Sequence, residues 1–157
     1  MLCMFRWAAI SLFALSCVVR AEPIGVRQKQ GTARGFLTVH SESGQFLATG
    51  EMVQVAKGNA VTTRLTYRFV DGSLDDEVAT FTQTGTFHLL RDHHIQKGPF
   101  FSKPTDIAVD ATTGMVTTRS TDKAGKVQVK TEHMDLPQDL SNSLIAATLL
   151  NLSLIHI

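Results

Sequence analysis

The run VTTRLTYRFV (residues 61–70), DGS (71–73), LDDEVATFTQ (74–83), TG (84–85), TFHLLRDHHIQ (86–96) decides the fold class. Three segments rich in Val, Thr, Phe and Leu are divided by two short turn signals, the pattern of strands joined by hairpins. Leu65, Tyr67 and Phe69 alternate with Arg64 and Arg68, so one face of such a strand is apolar and the other is wet. Asp71-Gly72 suits a tight hairpin because glycine accepts the positive φ that two-residue turns require.

The same grammar extends outward in both directions. Upstream lie GFLTVHS (35–41) with ESGQ, then FLATGEMVQVA (46–56) with KGNA. Downstream, KGPFFSKP leads to TDIAVDA (105–111) with TTG, MVTTRST (115–121) with DKAG, and KVQVKTEHM (126–134). In the last run Val127, Val129 and Thr131 share one face, opposite Lys126, Gln128, Lys130 and Glu132, and Ala124-Gly125 supplies another hairpin turn. Sequential hairpins make an antiparallel meander. The expectation is a mainly β protein, a single curved sheet of about eight strands over residues 35–134. In 135–151, DLPQDLSNSLIAATLLN, Leu140, Leu144, Ile145 and Leu149 recur near a 3.6-residue period, with Pro137 where a first helical turn tolerates it. An amphipathic helix there is expected to lie against the open apolar face. Residues 22–34, EPIGVRQKQGTAR, lack periodicity and read as a flexible lead-in.

Both ends carry their own signals. Residues 1–21, MLCMFRWAAISLFALSCVVRA, place Arg6 before an apolar stretch from Trp7 to Val19, and Val19 and Ala21 suit a signal peptidase. This is the pattern of a secretory signal peptide, and the apolar stretch is shorter than the roughly 20 residues that a spanning helix needs. Export to the periplasm or the exterior follows. Contact with the membrane is then transient or, on an alternative reading, made through lipidation at Cys17. Cys3 and Cys17 both lie in the leader, so cleavage after Ala21 leaves no thiol for a disulfide, a metal site or catalysis. At the other end, LSLIHI (152–157) is what CTG-TCT-CTT-ATA-CAC-ATC encodes, the end of a widely used transposon-based sequencing adapter. The expectation is a natural sequence that stops matching near Asn151, a chain truncated at its C-terminus, and no role for His156.

The whole chain has 157 residues, 43% hydrophobic and 18% charged, with 11 Gly and 4 Pro, which suits one modest globular domain. Two of the 15 Lys and Arg fall in the leader and none of the 14 Asp and Glu does, so the remainder carries 13 against 14, a net −1. With no Lys/Arg cluster, nucleic acid is not an expected partner.

Candidate chemistry is sparse. His88-Leu89-Leu90-Arg91-Asp92-His93-His94 concentrates imidazoles and a carboxylate. Strict alternation puts His88, Asp92 and His94 on one face, with Asp92 and His94 roughly 7 Å apart and His88 about 20 Å from His94. A metal would need Asp92, His94 and a third ligand from another strand, such as His133 or Glu77; a metal-dependent hydrolase is the corresponding activity. The plainer alternative is a polar strand end. Asp75-Asp76-Glu77, after the Asp71-Gly72 turn, lacks the spacing of a calcium loop and reads as charges that blunt a strand edge. No G-x-S-x-G, H-E-x-x-H, C-x-x-C, phosphate-loop or dinucleotide signature occurs, so nothing argues for an enzyme or a cofactor. Phe81, Phe87, Phe100 and Phe101 are candidates to line a hydrophobic ligand site, the alternative being ordinary core packing.

Asp92-His93-His94-Ile95-Gln96-Lys97-Gly98-Pro99, together with Thr131-Glu132-His133-Met134-Asp135-Leu136-Pro137, resembles a group of exported bacterial β-proteins of uncharacterised function over Gly35 to Leu150. That group is similar in outline to the lipoprotein-sorting half-barrels of the periplasm, and its members continue beyond the point where this chain ends. The resemblance implies a half-barrel-like fold and carries no catalytic or ligand residue with it. Taken together, the expected function is a non-enzymatic envelope protein that binds a lipid or other hydrophobic ligand. The alternatives are the metal-dependent hydrolase and a purely structural module.

Overall fold

The structure, a computed structural model, describes residues 25–121 and 125–137. The leader, residues 138–151 of the expected helix and the last six residues lie outside that range, and residues 134–137 follow the last strand without regular structure. Eight strands are present: β1 (Ala33–His40), β2 (Phe46–Lys57), β3 (Ala60–Phe69), β4 (Leu74–Thr84), β5 (Thr86–Lys97), β6 (Thr105–Asp110), β7 (Met115–Thr121) and β8 (Val127–His133). They form one sheet in sequence order, every neighbouring pair antiparallel. The sheet is open: β8 does not return to β1. No helix occurs among the described residues.

The Asp71-Gly72 turn joins β3 to β4 as its sequence predicts. Gly72 takes φ 84°, and Asp71 Oδ1 accepts a hydrogen bond from the Ser73 amide (2.9 Å). Asp75, Asp76 and Glu77 then enter a strand paired on both sides, by β3 and by β5, so they do not blunt an edge. Each is tolerated there because it meets a complementary strand; Asp76, for instance, accepts bonds from Arg64 Nε and Nη2 at 2.9 and 3.0 Å.

Register assigns the two faces. One row runs Gly35–Met52–Leu65–Glu77–His94–Ile107, and the next in phase runs Ala33–Gln54–Thr63–Ala79–Asp92–Val109–Val116. This is the apolar face. It also carries the buried residues Ala48, Val61, Phe81, Phe87 and Leu89. The opposite face carries Arg34, Arg64, Arg68, Arg91 and Arg119, whereas no Lys or Arg of β1 to β7 lies on the apolar one.

The core sits where β2 to β5 meet. Val61, Phe81 and Phe87 cluster there, the two rings 5.8 Å apart and 71° inclined, and burying each side chain contributes about 1.5–3 kcal/mol. Residues 25–32, expected to be a flexible lead-in, are laid against this core instead. Gly25 bridges Thr86, the Val26 amide donates to Gly85 O (2.8 Å), and the Val26 side chain packs on the cluster. Buried Gln83 fixes the segment by accepting from the Gln30 amide and donating to Gln30 O (3.1 Å), while buried Gln54 donates to Gly31 O (2.8 Å). Side chains of the segment bond as well: Lys29 Nζ donates to Asn59 Oδ1 (3.2 Å) and Thr32 Oγ1 accepts from the Ala56 amide (3.3 Å).

Candidate functional site

Away from that core, the apolar face is only half-covered, and its centre holds a group of polar side chains. Tyr67 and Asp75 are register partners, as are Glu77 and His94. His94 Nε2 lies 2.8 Å from Asp75 Oδ1, and Gln96 Nε2 donates to Asp75 Oδ2 (2.8 Å). Tyr67 packs flat over Gly50, where an added Cβ would stand 2.5 Å from its ring, so a side chain at 50 would displace the phenol. Burial, reinforced by the charge of Asp75, raises the Tyr67 pKa above the usual value for a phenol. Asp92, next along the face, has its Oδ1 closed off from solvent.

The predicted metal residues are divided. Asp92 and His94 do share the apolar face. His133, however, is on β8, three strands away, and on the opposite face, since the row through Asp92 reaches β8 at Glu132. His88 is displaced as well. Thr80 pairs with Arg91 but Phe81 with Leu89, so β5 carries an extra residue, Leu90, and the alternation reverses across this bulge. His88 therefore faces the arginine side, partnered by Thr86, opposite to Asp92 and His94. Among the described residues no group of three His, Cys, Asp or Glu is placed to hold a metal ion.

The four phenylalanines are likewise separated. Phe81 and Phe87 fill the core. Phe100 and Phe101 join Phe69, with ring centroids 4.2 Å apart (Phe69–Phe100, stacked) and 5.4 Å apart (Phe69–Phe101, edge-on). This second group lies at the far end of β3, roughly 27 Å from Val61 along the strand. It is anchored by the Phe100 amide, which donates to Ser73 Oγ (2.9 Å). The aromatic residues thus bracket the apolar face at its two ends.

Sequence reading did not anticipate the clefts elsewhere. One, of about 420 Å³, lies on the arginine face and is lined by Phe36, Thr49, Glu51, Arg64, Thr66 and Arg68 among others. The alternating arginines were its only sequence signal, and alternation alone reads as a wet face. Arg64 is committed to Asp76. Burial pushes the Asp76 carboxyl up, but its bonds from Arg64 and Thr66 and the nearby charge of Arg68 outweigh this and hold its pKa below the usual value. Another cleft, of about 430 Å³, lies at the ends of β5 to β8, lined by Ile95, Pro104, Asp106, Arg119 and Val127 among others. Asp106 there lies 2.9 Å from His93 Nε2, so adjacent histidines of β5 tie it to β4 on one face and to β6 on the other.

No protein-family model, no curated protein and no solved structure matches the chain.

Proposed function

We propose that this chain is an exported, non-enzymatic β protein that holds a hydrophobic ligand, such as an acyl chain, against the apolar face of a curved, half-barrel-like sheet. One observation carries the reading. In a one-layered sheet Ile107, Val109 and Val116 of β6 and β7, and Leu65 of β3 on the far side of Glu77 and His94, are half-buried apolar side chains with no second layer over them among the described residues. Apolar surface of that kind, framed by aromatic residues and interrupted by a few polar groups, favours a ligand with a long apolar part. Export is argued from the leader sequence alone.

The test is extraction of the purified chain with organic solvent and mass spectrometry of the extract, with titration of an apolar fluorescent probe. Co-purifying lipid, or probe binding that Ile107→Glu weakens, is the expected result. The absence of both co-purifying lipid and probe binding would overturn the reading.

A further inference from the structure

We propose that two copies of this chain join through β8 into one continuous sheet, by antiparallel two-fold pairing centred on Val129. The inference is independent of the ligand reading. Among the described residues β8 has a neighbour on one side only, β7, and all seven of its residues are exposed. The phase of its backbone follows from one bond: the Met134 amide donates to Gly114 O (2.8 Å), and these two positions continue the β7–β8 register. In an antiparallel strand the hydrogen-bonding groups point alternately to the two sides. Even-numbered Gln128, Lys130 and Glu132 therefore bond towards β7, and the N–H and C=O groups of Val127, Val129, Thr131 and His133 point outward.

Outward groups of one copy meet those of another in three symmetric registers that pair five or more residues of β8, and the side chains discriminate among them. Centring on Lys130 sets that lysine opposite itself, which is destabilising. Centring on Thr131 sets Val129 opposite His133 and Val127 opposite Asp135, so neither valine gains an apolar neighbour. Centring on Val129 places the valines of the two copies together, Val127 beside Thr131, Gln128 beside Lys130, and Lys126 opposite Glu132 of the second copy. Charges are complementary on one face. On the other, Val127 and Val129, 54% and 57% exposed, gain apolar neighbours. The outward pairs Val127–Thr131, Val129–Val129 and Thr131–Val127 form about six backbone hydrogen bonds. The interface is isologous and closes at two copies, as a two-fold requires.

The experiment is light scattering after size-exclusion chromatography of the full chain between about 1 and 100 µM. A dimer is expected. Val129→Pro should give a monomer with an unchanged β-sheet circular dichroism spectrum, because the N–H it removes points away from β7. Lys126→Glu should weaken dimerisation roughly tenfold, and the double exchange Lys126→Glu with Glu132→Lys should restore it. A monomeric wild type, open-ended assemblies, or a dimer that Val129→Pro leaves intact would overturn the proposal. A double exchange that fails to rescue would overturn the Val129-centred register.

Discussion

β3 to β5 and β6 to β8 belong to one sheet, yet they are held by different means. The first three strands span 10 to 12 residues each and bury Val61, Ala79, Phe81, Phe87 and Leu89, with Val26 of a segment bound by glutamine side chains packed on the Val61–Phe81–Phe87 cluster. The last three span 6 or 7 residues, have no buried side chain, and are joined by the backbone ladder and a few cross-strand pairs such as Thr117–Thr131 (3.0 Å). A ladder propagates a sheet at little gain per residue, whereas a second layer of apolar contact, even a few residues of lead-in, makes part of it resistant to opening.

Substitutions can break this contrast in order of size. Phe81→Ala removes the largest fully buried side chain among the described residues and should cost about 3–5 kcal/mol in urea denaturation; a loss as small as that of a β8 substitution would erase the distinction. Gln83→Ala strands the amide and carbonyl of Gln30 and should cost about 1–3 kcal/mol, with faster proteolysis within residues 25–32. Asp76→Asn should cost about 1 kcal/mol at neutral pH, since the partner Arg64 is largely exposed. The sign with pH is definite. A carboxyl whose folded pKa is depressed stabilises fully above its unfolded value, about 3.9, and loses that contribution as pH falls through the lower folded value. The variant should therefore lose less stability than the wild type below about pH 4, as thermal melts across pH would show. Lys130→Ala, in an exposed pair with Glu132, should shift stability by under about 0.5 kcal/mol.

Much of this fold was legible in advance because strand chemistry is local. Turn residues such as Asp71-Gly72 and alternation such as Leu65, Tyr67, Phe69 fix strands and faces without knowledge of the partner strand. What escaped depends on pairing. Leu90 carries no mark of being the extra residue of a bulge, so strict alternation sent His88 to the wrong face. The lead-in looked mobile because Gln30, Gln54 and Gln83 declare their partnership only once β2 and β4 are side by side. The aromatic residues were found, but their division between two ends of the sheet follows from the length of β3, which composition does not express.

The separation of charge between the faces has a consequence for how the molecule meets a surface. In the strands one face sets Asp75, Glu77, Asp92 and Glu132 against Lys130, and the other sets Arg34, Lys57, Arg64, Arg68, Arg91, Lys97 and Arg119 against Glu51, Asp76, Asp106 and Asp110, so an excess of three negative charges opposes an excess of three positive ones across a layer roughly 10 Å thick. Such a plate has an electric moment along its normal even though its total charge is close to zero. At low ionic strength, where the screening length exceeds that thickness, it turns a chosen side towards any charged matrix. The protein should then be retained by both cation and anion exchangers, in opposite orientations, and retention on both should vanish together as salt is raised.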